Sequence, residues 1–133
     1  AVALVFALHA DRAEHELFSA LFTEDATFER KGEVLRGRAA ILAAQKLRPP
    51  GLRTRHHCLT PWITVLDAER ATGITYFTTY RFEGQEEVNG PVAFSGPDAV
   101  GEFYDTFVRT PAGWKISTRK VAVAFKRVAQ TNQ

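Results

Sequence analysis

The sequence predicts an α+β fold in which N-terminal helices pack on a mainly antiparallel sheet. Three observations predict it. Apolar residues recur at helical spacing early in the chain, and the period changes to strand-like alternation after Pro49-Pro50-Gly51. The 133 residues, 45% apolar and 11% aromatic, are enough to bury one core.

Leu4, Val5 and Leu8, then Leu17, Phe18, Leu21 and Phe22, give two helices or one bent helix. The break falls at Asp11-Arg12-Ala13-Glu14, which reads as a capping acid followed three residues later by glutamate. Residues 26–30 and 33–36 read as a hairpin with Gly32 at its turn, and residues 38–47 as a helix stopped by Pro49. Two long strands, 54–66 and 70–82, are expected to join at Asp67-Ala68-Glu69. Residues 83–98, polar and rich in glycine and proline, predict a rim loop. Strands 100–109 and 114–127 follow, and the polar tail 128–133 is expected to fray. The whole of 1–133 reads as a single domain. Helices can cover only one face of four long strands that carry few charges, so the other face predicts a sheet-to-sheet homodimer.

Composition removes several function classes. Charged residues make up 24% with both signs interspersed, and the net charge is +2 with no basic run, so nucleic acid is not an expected partner. A lone cysteine, Cys58, cannot form an internal disulfide or a cysteine-built zinc site and suits a reducing cytoplasm. The apolar opening, Ala1 to Leu8, lacks a basic leader and runs into a helical pattern, so it reads as mature helix. Because the chain contains no methionine, a few residues are expected to be missing in front. No apolar run reaches bilayer length, so no membrane partner is expected. No glycine loop joins a strand to a helix, and adjacent strand histidines cannot both chelate one ion. Neither a cofactor nor a metal is therefore expected.

Four collinear stretches span almost the whole chain: Asp11-Arg12-Ala13-Glu14 leading to Leu21-Phe22 and Asp25-Ala26; Arg36-Gly37-Arg38 before a helix; Thr54-Arg55-His56-His57; and Gly101-Glu102-Phe103-Tyr104-Asp105 with Gly113-Trp114-Lys115-Ile116. In these the chain resembles the SnoaL-like group of the nuclear-transport-factor-2-like superfamily, whose sheet is strongly curved. The resemblance implies a cone-shaped barrel holding a pocket for a hydrophobic small molecule. The superfamily includes scytalone dehydratase, ketosteroid isomerase, polyketide cyclases and non-catalytic dioxygenase small subunits, so the fold does not fix the reaction.

In the dehydratase branch, an aspartate at the Asp11 position supports a histidine on the first long strand, which shuttles the proton when water is eliminated. That implies a catalytic set of Asp11 with His57 or His56. Only one of two adjacent strand histidines can face the pocket. Counting back from the Asp67 turn favours His57, aligning on Thr-Arg-His favours His56, and the balance goes to His57. The competing reading makes Asp11 a helix cap with Glu14 as its partner. Relatives carry a tyrosine before the aspartate where this chain has Ala10, so Tyr76, Tyr80 or Tyr104 would have to supply a phenol. Tyr76, Tyr104, Phe103, Trp62 and Arg119 are the substrate-binding candidates, with a cross-strand ion pair as the alternative role for Arg119. Cys58 is rejected as a nucleophile because adjacent strand residues face apart. Two readings follow. The first is a cofactor-independent lyase or isomerase, dehydratase- or cyclase-like, acting on a hydrophobic cyclic substrate. The second is a non-catalytic binding or accessory subunit.

Overall fold

The computed structural model describes residues 2–128, so all but Val128 of the tail expected to fray lies outside the described residues. Helix α1 (Val2–Asp11) buries Ala3, Phe6 and Ala10, one stripe at helical spacing. Leu4 and Leu8, which carry the helical spacing in the sequence, are 39% and 46% exposed. The small alanines let the helix approach strand β3 closely, which turns the bulkier leucines outward. The break after Asp11 is as expected, with Ala13 in a left-handed conformation at φ 55°. Helix α2 (His15–Ser19) follows and buries Phe18.

Strand β1 (Phe22–Arg30) and strand β2 (Glu33–Arg36) form the expected hairpin. Lys31 and Gly32 both take positive φ, 50° and 75°, which suits a two-residue turn matched to strand twist. Helix α3 (Arg38–Lys46) packs through Ile41, and the Arg38 Nε donates to the Phe22 carbonyl at 2.9 Å. The segment expected as one strand, 54–66, is two: β3 (Leu52–Cys58) and β4 (Trp62–Val65). Leu59-Thr60-Pro61 separates them, and Pro61 has no N–H to continue a ladder.

Strands β5 (Arg70–Glu83), β6 (Ala99–Thr110) and β7 (Gly113–Lys126) make the centre of the sheet, and residues 84–98 carry no regular structure. The order is β2-β1-β7-β6-β5-β3, with β4 also on β5. Every pairing is antiparallel except β1 with β7. The sheet is curved and does not close. Register shifts at Val100/Gly101 and Thr106/Phe107 bend its centre. Gly101 permits the first of these, since a Cβ there would stand 2.2 Å from the Ala122 carbonyl oxygen.

The concave face carries Phe77, Phe103, Phe107 and Ile116, packed against Phe6 and Phe18 of the helices. On the convex face Trp62, Tyr76 and Phe125 are 76%, 57% and 72% exposed among the described residues. No helix among the described residues is long and apolar enough to cross a membrane.

Candidate functional site

Asp11 closes α1 and points at the start of β3. Its Oδ1 meets His56 Nδ1 at 2.6 Å, and its Oδ2 accepts the His56 backbone N–H at 2.9 Å. The Thr54 hydroxyl donates to Oδ1 at 2.9 Å and itself accepts from Arg48 Nη2 at 3.0 Å. A carboxylate held by a backbone amide, a hydroxyl and a ring nitrogen cannot swing away, so it fixes the imidazole in place. With Nδ1 donating to Asp11, the neutral ring presents its lone pair at Nε2. That atom has no protein partner among the described residues.

The cap reading is therefore corrected. Glu14, not Asp11, precedes α2 and makes no side-chain cap, while its carboxylate instead meets His9 Nδ1 at 3.1 Å.

The inward histidine is His56, not His57. Thr54, His56 and Cys58 face the interior, whereas Arg55 and His57 are exposed. His57 lies against Tyr80 on the other face, with ring centroids 5.0 Å apart. Counting back from the Asp67 turn failed because the break at 59–61 interrupts the two-residue period. Cys58 thus shares a face with His56, contrary to the reason given for rejecting it. Burial pushes its thiol above the ordinary value, which keeps it in the unreactive S–H form.

Arg119 and Asp105 are cross-strand partners in the β6–β7 register. Both side chains are fully buried, joined by Nε–Oδ1 at 2.7 Å and Nη2–Oδ2 at 2.9 Å. The guanidinium lies 3.8 Å from the Phe6 ring centroid and 4.6 Å from that of Phe103. This is the ion-pair role, and it seals Arg119 from any substrate. Tyr76, Tyr104 and Trp62 stand on the convex face, 57%, 44% and 76% exposed, because their strand positions alternate with the inward ones. Phe103 is core, 4.8 Å from the Phe6 centroid. The structure brings together Asp11 and His56 and none of the five substrate-binding candidates joins them at an accessible surface.

Phe6 stands edge-on to His56 with ring centroids 6.0 Å apart, and it packs in turn on Phe103 and Arg119. Asp11, but not His56, lines an open groove of about 790 Å³ together with Arg48, Leu52, Phe82 and residues 87–91. Thr54 and Arg48 were missed. Thr54 had a signal, two residues before His56 and hence on its face. Arg48, in a loop between elements, had none. Among the described residues no cluster of three or more metal-ligating side chains gathers.

Burial alone would raise the Asp11 carboxyl, but the bonds from His56 and Thr54 outweigh it and hold it below its ordinary value. A depressed carboxylate contributes stability that is present above its unfolded value near 3.9 and is lost as pH falls through the folded value. Urea unfolding of the wild type should therefore lose more stability on acidification below about pH 4 than Asp11→Asn does. Parallel pH profiles for the two proteins would remove the attribution to Asp11.

A family model described as a SnoaL-like domain matches residues 2–120. Among curated proteins none matches the chain in sequence. Many solved structures do match. An NTF2-like protein with a cystatin-like fold from Novosphingobium aromaticivorans is 28% identical, with a TM-score of 0.75 over 92% of this chain and 77% of its own. A Mycobacterium tuberculosis protein of unknown function is 24% identical, with a TM-score of 0.78 over 92% and 67%. A candidate scytalone dehydratase, also from Novosphingobium aromaticivorans, is 18% identical, with a TM-score of 0.78 over 98% and 85%. These last two likenesses speak for the fold alone.

Proposed function

We propose that this chain, which belongs to the SnoaL-like domain family, is a cofactor-independent lyase or isomerase acting on a hydrophobic cyclic carbonyl compound. The observation that carries the reading is the 2.6 Å contact between Asp11 and His56 Nδ1, reinforced by Thr54 and a backbone amide. His56 Nε2 takes the proton from the carbon beside the substrate carbonyl, and the electron pair of that C–H bond moves into the enolate. In a dehydratase, the resulting imidazolium returns the proton to the β-hydroxyl. The C–O bond then breaks, and water and the unsaturated carbonyl compound leave. In an isomerase, the same proton returns to a different carbon. Asp11 remains ionised throughout, orienting the ring and stabilising its cationic form.

Ala10 stands where dehydratase relatives have tyrosine, and Tyr76 and Tyr104 lie on the convex face. No phenol therefore supports the carbonyl in this reading, and the proton shuttle carries the chemistry. The exposed aromatic convex face supports a sheet-to-sheet homodimer as part of the same proposal, which light scattering at micromolar concentration reads directly.

The test is a panel of cyclic β-hydroxyketones in D2O, followed by NMR for water loss and for exchange of the α-proton. Turnover by the wild type that disappears in His56→Gln supports the enzyme. Equal rates in both proteins would sink it. The packing of Phe6 on His56, Phe103 and Arg119 favours the second reading, a binding or accessory subunit. Saturable binding of panel compounds without turnover would select that one.

A further inference from the structure

The groove bordered by Asp11 is lined by four arginines, Arg12, Arg48, Arg53 and Arg55, against two carboxylates, Asp11 and Glu87. None of these four has a carboxylate ion-pair partner among the described residues, whereas Arg70, Arg81 and Arg119 each have one. Two of them are committed to building the groove. Arg53 donates to the carbonyls of Gly90, at 2.8 Å, and Val88, tying down the far wall. Arg48 donates to Thr54 at 3.0 Å behind Asp11. The other two, Arg12 and Arg55, are exposed, and Arg55 spends only its Nη1 on the Thr54 carbonyl, at 2.6 Å. A guanidinium has five donors, so most of theirs remain available to a ligand.

Burial pulls the Arg48 guanidinium below its ordinary value, Asp11 opposes this, and Arg81 and Arg55 repel it. Cations that repel one another around a concavity raise a positive potential that an anion would relieve. Leu52, Phe82, Val88 and Pro91 line the same groove, and Phe82 is the cross-strand neighbour of Arg53, so apolar surface stands beside the cations. The volume, about 790 Å³, suits an organic molecule rather than a bare ion.

We propose that this groove binds an amphipathic organic anion, a ring system that carries a carboxylate or phosphate held by Arg12 and Arg55 while its apolar body lies against Phe82 and Leu52. The proposal goes beyond the functional reading above, because His56 is not among the residues that line this groove and Arg55 stands on the opposite face of β3 from it. The oxyanion would anchor at the rim, with the body of the molecule extending along the groove. Binding by bidentate guanidinium contacts would also orient the rings, which a purely apolar surface cannot do.

Calorimetric titration with three probes tests it: naphthalene-1-acetate, 1-naphthyl phosphate and the neutral naphthalene-1-acetamide. At least one anion should bind about tenfold more tightly than the amide, the equivalent of one charge-assisted contact. That preference should shrink as salt rises and vanish in the Arg12→Gln/Arg55→Gln double variant, whose exposed positions leave folding intact as read by circular dichroism. A carboxylate preference names one source of the anion and a phosphate preference the other. Equal binding of all three probes overturns the proposal, as does an anion preference that survives in the double variant. His56→Gln separates the two claims. It should keep the anion preference, so a groove that binds acids in a protein without turnover supports this inference while removing the catalytic one.

Discussion

Replacing His56 by glutamine is expected to lower turnover by about 10²–10⁴-fold, the range associated with removing one positioned acid–base group. Glutamine preserves a hydrogen bond to Asp11 but cannot accept and return a proton. His57→Gln is the matched control. It changes the same residue type one position along the same strand, on the exposed face beside Tyr80, and should leave turnover unchanged. Asp11→Asn should fall between the two, since the amide removes the negative charge that stabilises the imidazolium. The readout that separates catalysis from folding is the ratio of kcat loss to any change in melting temperature. A His56→Gln protein that retains turnover, or a His57→Gln protein that loses it, would contradict the assignment of the proton shuttle to the inward ring.

The choice between the two histidines shows which parts of this molecule were legible in the sequence. The α+β order, the β1–β2 hairpin at Lys31-Gly32, the helix stopped before Pro49 and the final two strands all depend on local signals: period, turn residues and proline. Those signals act over a few residues, and they carried through. What failed depends on parity over longer stretches or on contacts distant in sequence. A single proline-bearing break at 59–61 reversed the face assigned by counting from the Asp67 turn. The leucines of α1 made the more hydrophobic stripe, yet Ala3, Phe6 and Ala10 face inward because β3 lies close to the helix. Tyr76, Tyr104 and Trp62 were aromatic enough to suggest a pocket lining, but on a curved sheet the convex positions carry aromatics too. Asp11 was legible as important and illegible as to why. A capping motif and a catalytic carboxylate look alike until the position of residue 56 is known, and that residue is 45 places away in the chain.

The buried pair shows the same dependence on distant contact and leads to the largest stability effect expected. Asp105→Ala should destabilise the protein by about 3–5 kcal/mol, because it leaves the Arg119 cation enclosed with no counter-charge. Arg119 has little room to escape. Its side chain is fully buried between Phe6 and Phe103, and its Nη1 already lacks a partner among the described residues. For a domain of this size the loss corresponds to a fall in Tm on the order of 10–15 °C. Removing both charges is a different experiment. In Asp105→Leu/Arg119→Met neither ion must be desolvated, a change that in comparable cases is neutral or stabilising by roughly 1–4 kcal/mol. Here the double variant also forfeits the guanidinium's contact with two aromatic faces, worth about 2 kcal/mol when desolvated. The two effects nearly cancel, so the double variant should melt close to the wild type while the single variant does not. A single variant that costs less than about 1 kcal/mol would mean that Arg119 finds water or another acceptor. The interior beside His56 would then be less tightly filled than the packing of Phe6 against Phe103 implies.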